Sequence, residues 1–278
     1  MRFRPWRGHP RGPRPLRKVA LLPTLITLGN AVCGMMSIFA CIQKNWEAAG
    51  FWILGGMVFD ALDGKVARAT GTASQFGAQL DSLCDVLTFG VAPAAVVWYA
   101  TLDRFPNLIP HHMVTVACVF YALAAVIRLA RFNIETSSDL NSHLEFNGLP
   151  SPAAAGVVAS TFVLWRYAGP WADDLIKALP PAVFLIGVLM ISRVRYPHVV
   201  NRLFSGFSPF VQLVEIVVGV VLIFAFRQYA LFVLFVGYAM AGPVVWLGRR
   251  LMRKPAPAPQ TPAETPAEPP KEEEEPLF

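Results

Sequence analysis

Apolar runs of 18 to 25 residues recur along the chain from residue 20 to residue 248, and short polar connections separate them. Each run is long enough to cross a bilayer as a helix, which takes roughly 20 apolar residues. The pattern predicts an all-α, polytopic transmembrane helical bundle with about eight spans, at 20–42, 47–68, 77–101, 113–132, 151–168, 174–192, 208–226 and 229–248. Composition agrees: 55% of the 278 residues are hydrophobic, 15% are charged, and mean hydropathy is +0.48. No polar stretch remains that is long enough to fold as a separate soluble domain.

The ends differ from the middle. Residues 1–19 form a basic arm carrying Arg2, Arg4, Arg7, Arg11, Arg14, Arg17 and Lys18 without an acid, and the hydrophobic run after it reads as a retained span rather than a cleaved signal. Residues 20–248 form the membrane domain. Residues 249–278 are basic at first, then rich in Pro and Glu, a composition expected to remain a solvated tail. With eight spans both termini share one side, which holds nineteen of the Lys and Arg residues against five on the other. The positive-inside rule then expects both termini in the cytoplasm of a cell that keeps this protein in its inner membrane. The net charge of +6 follows from that bias and calls for no nucleic acid partner. Cys33, Cys41, Cys84 and Cys118 are scattered within apolar runs and read as packing residues.

Against this background one cluster stands out. Asp60, Asp63, Asp81 and Asp85 fall within 26 residues at the cytoplasmic ends of the second and third spans. Carboxylates at membrane depth are costly unless paired or bound to a cation. The i, i+3 and i, i+4 spacings aim each pair from one face of its helix. Four hard oxygen donors suit Mg²⁺ or Mn²⁺ and leave positions open for water or phosphate. Gly64 and Gly77 leave room beside the acids, and Arg68 can balance their charge or hold a phosphate. Salt-bridged interfacial acids remain the alternative reading, as does an ion site in a transporter.

The run Asp60-Ala-Leu-Asp63-Gly64-Lys-Val-Ala67-Arg68, followed by Gly77, Asp81 and Asp85 at fixed spacing, resembles the signature of the CDP-alcohol phosphotransferase family. Eight fixed residues at about 5% background usage match by chance on the order of 10⁻¹⁰ times per starting position. The resemblance implies a six-helix catalytic core around a polar, cytoplasm-facing site, where a CDP-linked lipid gives its phosphatidyl group to an alcohol and releases CMP. It implies that Asp60, Asp63, Asp81 and Asp85 hold a two-metal site and that Asp85 takes the acceptor proton. By the same resemblance Asp60, Gly64, Ala67, Arg68 and Ser74, with Thr27 and Asn30 from the first span, line the nucleotide pocket.

Further segments are similar to the branch of that family that uses CDP-diacylglycerol and L-serine. They are Leu22-Pro23-Thr24 through Asn30 and Gly34, with Thr24 where that branch usually has asparagine, then Asp81 through Pro93, Arg128-Leu-Ala-Arg131-Phe132-Asn133, and Asn147-Gly148-Leu149-Pro150-Ser151-Pro152. A serine site needs a cation for the carboxylate and an acceptor for the ammonium. Arg128 and Arg131 are candidates for the first, with Asn133, Asn147 and Ser151 as further contacts, although both arginines also fit simple topological anchoring. Another acceptor, such as glycerol 3-phosphate, inositol phosphate or inositol, stays open. The resemblance also implies a homodimer. Glu215 in the seventh span, and His111 and His112 on the outer side, read as structural residues, and the tryptophans as an interfacial belt.

Overall fold

The computed structural model describes residues 21–71, 74–107, 109–138, 148–192, 194, 196 and 227–251. Within them the chain forms α1 (Leu21–Ile42), α2 (Trp46–Ala69), α3 (Gln75–Asp85), a π-helical segment (Val86–Val91), α4 (Ala92–Arg104), α5 (His111–Ser138), α6 (Ser151–Trp165), α7 (Ala172–Ile191) and α8 (Arg227–Leu251), with no strand. α3, the π segment and α4 run on as one 30-residue apolar span. Five described helical stretches are long and apolar enough to cross a membrane; α2 carries too many acids to be counted by hydropathy, and α6 is only 15 residues long. The expected span at 208–226, with Glu215, lies outside the described residues.

Polar ties gather at the end of the bundle away from the acid cluster. Lys44 meets Asp103 at 2.6 Å, Arg104 meets Asp173 at 3.1 Å, and Arg166 lies 3.7 Å from Glu47. These residues lie at the ends of α1, α2, α4, α6 and α7, so alternate connections come together as an up-and-down bundle requires. The hydrogen bond to Asp103, reinforced by its charge, raises the Lys44 ammonium above the ordinary lysine value. Trp46 departs from the interfacial belt expected of it. It is buried against Tyr99 and Phe162 at centroid distances of 5.9 and 6.4 Å, because its place at the start of α2 faces the bundle interior. All four cysteines are buried and unpaired, as the packing reading requires.

The core is built from small residues. α6 is buried along almost its whole length, and at Gly50 of α2 a Cβ would lie 2.6 Å from the Ala159 carbonyl oxygen of α6. On α1, Thr27, Asn30, Gly34, Ser37 and Cys41 form a buried seam at helical spacing. On α2, Ala49, Ile53 and Gly56 form another that continues into Asp60 and Asp63. The two seams close on Thr88 in the π segment. A Cβ at Gly34 would sit 2.6 Å from Thr88 Oγ1, and one at Gly56 would strike Thr88 Cγ2 and lie 3.0 Å from Asn30 Oδ1. Without lipid-side hydrophobic drive, such close backbone approach is what holds membrane helices together.

The π segment has a covalent cause. Pro93 has no N–H, so the Phe89 carbonyl loses its i→i+4 partner. The hydroxyl of fully buried Tyr121 on α5 donates to that carbonyl instead, at 3.0 Å. The tightness at Gly56 predicts that Gly56→Ala lowers the melting temperature of the detergent-purified protein, by overpacking on the order of 1–3 kcal/mol. Gly55→Ala, where a Cβ would meet only Cys33 Sγ at 3.6 Å, leaves it nearly unchanged.

Candidate functional site

The acids end up together because the α2 seam runs out of hydrophobic residues just where α3 begins its path back. Thr70 closes α2, Gly71 turns at φ +62°, and Ser74 starts α3 by accepting the Gly77 N–H at 3.0 Å. Asp60, Asp63 and Asp81 each bring a carboxylate oxygen within 4.8 Å of the other two. Asp63 is buried, and Asp63 Oδ2 and Asp81 Oδ1 are buried with no hydrogen-bond partner among the described residues. Crowded, unsatisfied carboxylate oxygens of this kind are unfavourable alone and become ligands when a hard divalent cation is present. The donor set therefore fits a metal of the Mg²⁺ or Mn²⁺ class, with Asp60, Asp63 and Asp81 as the residues to hold it.

Asp85 stands outside that close triad. Its Oδ1 accepts from Asn30 Nδ2 at 2.9 Å, and Thr88 Oγ1 donates to the Asn30 backbone carbonyl at 2.9 Å. Asn30 and Thr88 are fully buried. Asn30, expected beside the nucleotide, is thus placed as the partner of Asp85 and lines neither cavity described below.

Two cavities meet at the acids. One, of about 210 Å³, is lined by Pro23, Thr24, Thr27, Asp63, Gly64, Ala67, Arg68, Ser74, Gly77, Ala78 and Asp81. It thus collects Thr27, Gly64, Ala67, Arg68 and Ser74, five of the seven residues expected around a nucleotide. The Arg68 guanidinium lies over Gly64, with Nη1 3.7 Å from where a Cβ would be. The other cavity, of about 780 Å³, is bounded by Asp60, Asp81 and Asp85 on one side and by Arg128, Leu129, Phe132 and Asn133 of α5 on the other. Arg128 is buried and donates from Nη1 to Ser151 Oγ at 2.8 Å.

Arg131 is directed elsewhere. It donates to the carbonyl of Ile191, the last residue of α7, at 3.3 Å, and it does not line either cavity. A cation at a helix C-terminus is a stabilising arrangement. Asn147 lies outside the described residues. Sequence reasoning missed Ser82, which pairs with Asn133, and Tyr121, which supports the π segment. Only Pro93 gave a sequence signal for the latter, by announcing an unpartnered carbonyl. His111 and His112 are exposed, far along α5 from Arg128.

These acids predict a thermal signature. In chelator the Asp63→Asn, Asp81→Asn double variant melts at or above wild type, because like charges and unsatisfied oxygens are relieved. Millimolar Mg²⁺ or Mn²⁺ raises the wild-type melting temperature and not that of the variant. A wild-type protein indifferent to both ions overturns the assignment.

Comparison with known proteins agrees with the geometry. The sequence is 36% identical over 184 residues to the CDP-diacylglycerol–serine O-phosphatidyltransferase of Helicobacter pylori, covering 66% of this chain and 75% of that one. It is 36% identical over 181 residues to the archaetidylserine synthase of Methanothermobacter thermautotrophicus, covering 64% and 70%. The CDP-diacylglycerol–serine O-phosphatidyltransferase of Bacillus subtilis is 31% identical over 183 residues, covering 64% and 90%. Among solved structures, Mycobacterium tuberculosis phosphatidylinositol phosphate synthase with CDP-DAG bound superposes with a TM-score of 0.47 at 22% identity, over 62% of this chain and 82% of that one. The family profile described as CDP-alcohol phosphatidyltransferase matches residues 20–194, which contain the four clustered aspartates and the described lining of both cavities, and the chain belongs to that family.

Proposed function

We propose that this protein transfers the phosphatidyl group of CDP-diacylglycerol to the hydroxyl of L-serine, forming phosphatidylserine and CMP. The observation that carries the reading is the likeness, over about two thirds of the chain, to relatives named for serine as acceptor. It is joined to a site whose larger cavity sets one buried arginine opposite the carboxylates.

The smaller cavity would take the cytidine nucleotide, with Gly64 and Ala67 leaving space, Arg68 meeting phosphate charge, and Ser74 and Thr27 on its walls. The larger cavity would take the acceptor. Asp60, Asp63 and Asp81 would hold divalent metal, Mg²⁺ or Mn²⁺, with Asp85 facing the acceptor side of the same site. When bound, such ions neutralise charge on the transferred and leaving phosphates. The acceptor hydroxyl oxygen forms a bond to the lipid-linked phosphorus, the pyrophosphate bond to CMP breaks, and Asp85 takes the hydroxyl proton. Asn30 holds one oxygen of Asp85 by a hydrogen bond, which leaves the other to face the substrate. Small residues and buried packing on α1, α2 and α6 keep these groups in place.

The same reading puts residues 20–248 in the membrane as the catalytic domain, flanked by the basic arm and the Pro/Glu-rich tail. It sets the site and both termini on the cytoplasmic side of the inner membrane, supported by the bias of nineteen basic residues against five. A homodimer is the expected assembly.

An acceptor panel with purified protein and CDP-diacylglycerol tests the proposal. CMP release is expected to require serine and a divalent ion, and release with glycerol 3-phosphate but not serine would reverse the choice of acceptor. Asp85→Asn is expected to lower kcat by about 10²- to 10⁴-fold while CDP-lipid affinity stays within a few-fold. Near-normal turnover would remove Asp85 as the base.

A further inference from the structure

Hydrogen-bond accounting on the acceptor side of the site leads beyond the choice of serine to how serine would be read. Ser82 follows Asp81 on α3 and lines the larger cavity together with Asn133 of α5. Its Oγ approaches three groups: the Ala78 carbonyl oxygen at 3.0 Å, Asn133 Nδ2 at 2.9 Å and Asn133 Oδ1 at 3.3 Å. A hydroxyl has one proton to give. The shorter acceptor, one turn back on its own helix, takes it, which is a common arrangement for serine within a helix. Ser82 Oγ is then an acceptor toward Asn133, and the Asn133 amide donates through Nδ2. That fixes which way the amide faces. Asn133 lines the cavity, and among the described residues its Oδ1 is then left without a donor. The opposite orientation would present an N–H₂ group to the cavity and repel a cation.

The charges on the same wall are as informative. Among the described residues lining this cavity, Arg128 is the one basic residue, and Arg131 is committed to the end of α7. Of the described residues on this wall, one guanidinium faces the acceptor. A headgroup with one carboxylate and one ammonium is matched by one cation and one neutral oxygen acceptor.

Resting on the acceptor reading above, we propose that the cavity recognises a zwitterionic amino alcohol by two separate elements. Arg128, held by Ser151, takes the carboxylate, and Asn133 Oδ1, oriented by Ser82, takes the ammonium. Asn133 and Ser82 are specificity-determining residues in this scheme, and Arg131 is not.

The test is CMP release by the full-length protein in detergent with CDP-diacylglycerol. KM is measured for L-serine, and inhibition constants against serine are measured for 3-hydroxypropionate, which lacks the ammonium, and ethanolamine, which lacks the carboxylate. Asn133→Leu is expected to raise the serine KM about tenfold, the size of a lost hydrogen bond to a charged donor. It should weaken ethanolamine in parallel and leave 3-hydroxypropionate within about twofold. Asn133→Asp, which keeps an oxygen in place, retains serine binding and so controls for misfolding. Ser82→Ala shows the same selective pattern to a smaller degree. Arg128→Gln gives the mirror image, weakening serine and 3-hydroxypropionate and sparing ethanolamine. If Asn133→Leu weakens serine and 3-hydroxypropionate alike, or leaves serine untouched, the ammonium is held elsewhere, for example by the acids, and the assignment falls. A wild-type protein that releases no CMP with serine sinks the acceptor reading itself, a result distinct from either.

Discussion

The site depends on how closely three helices approach one another at Thr88. Gly34 on α1 and Gly56 on α2 have no side chain where Thr88 sits, and its hydroxyl donates to the Asn30 carbonyl. That contact brings Asn30 within hydrogen-bond reach of Asp85 and fixes the distance between α2 and α3 about a turn further along. Carboxylates from different helices converge only when the backbones carrying them are close, and a Cβ on either glycine would push those backbones apart. Convergence has a cost in repulsion and desolvation, which packing elsewhere in the bundle must offset. α6, buried almost throughout and built mainly from alanine, valine and small polar residues, supplies much of that packing.

The π segment extends the same constraint to α5. Pro93 frees the Phe89 carbonyl, Tyr121 claims it, and α5 is thereby tied to the third span just above the acids. Arg128 and Asn133 lie on α5 two to three turns beyond Tyr121, so their distance from Asp81 and Asp85 is set partly by this bond. π-helical turns recur at functional sites in helical proteins. Here the turn follows Asp85 directly, so the register of the side chains above the site is decoupled from that of the acids below it.

Much of this was legible in the sequence. Length and apolarity announced an all-helical chain with long apolar helices, and the spacing of the aspartates announced their gathering at one end of α2 and α3. Five of the seven residues expected around a nucleotide line one cavity because they lie on three adjacent segments with local order. What was not legible is long-range. Asn30 and Asp85 are 55 positions apart, Ser82 and Asn133 are 51 apart, and nothing in either local pattern announces the pairing. Arg128 and Arg131, three residues apart, share a face of α5 by periodicity, and only the arrival of the α7 C-terminus gives the second its backbone partner. Trp46 was misplaced for a related reason. Proximity to a helix end suggests an interface, whereas burial depends on the neighbours that helix acquires.

The two cavities share Asp81 and Ala78, so the acids form the partition between them rather than the floor of one pocket. The smaller chamber opens among α1, the end of α2 and the start of α3, and the larger lies between α3 and α5. A donor held by a lipid tail and an acceptor drawn from water present opposite solvation problems, and one chamber suited to both would expose the donor phosphate to water. On the proposed reading, separate chambers with a common wall would let each partner keep its own surroundings while the reacting atoms met at the carboxylates. The asymmetry of the charges follows the same division. Arg68 stands over Gly64 on one side and Arg128 is buried on the other; of the acids between them, Asp63 lines the smaller chamber, Asp60 and Asp85 the larger, and Asp81 both.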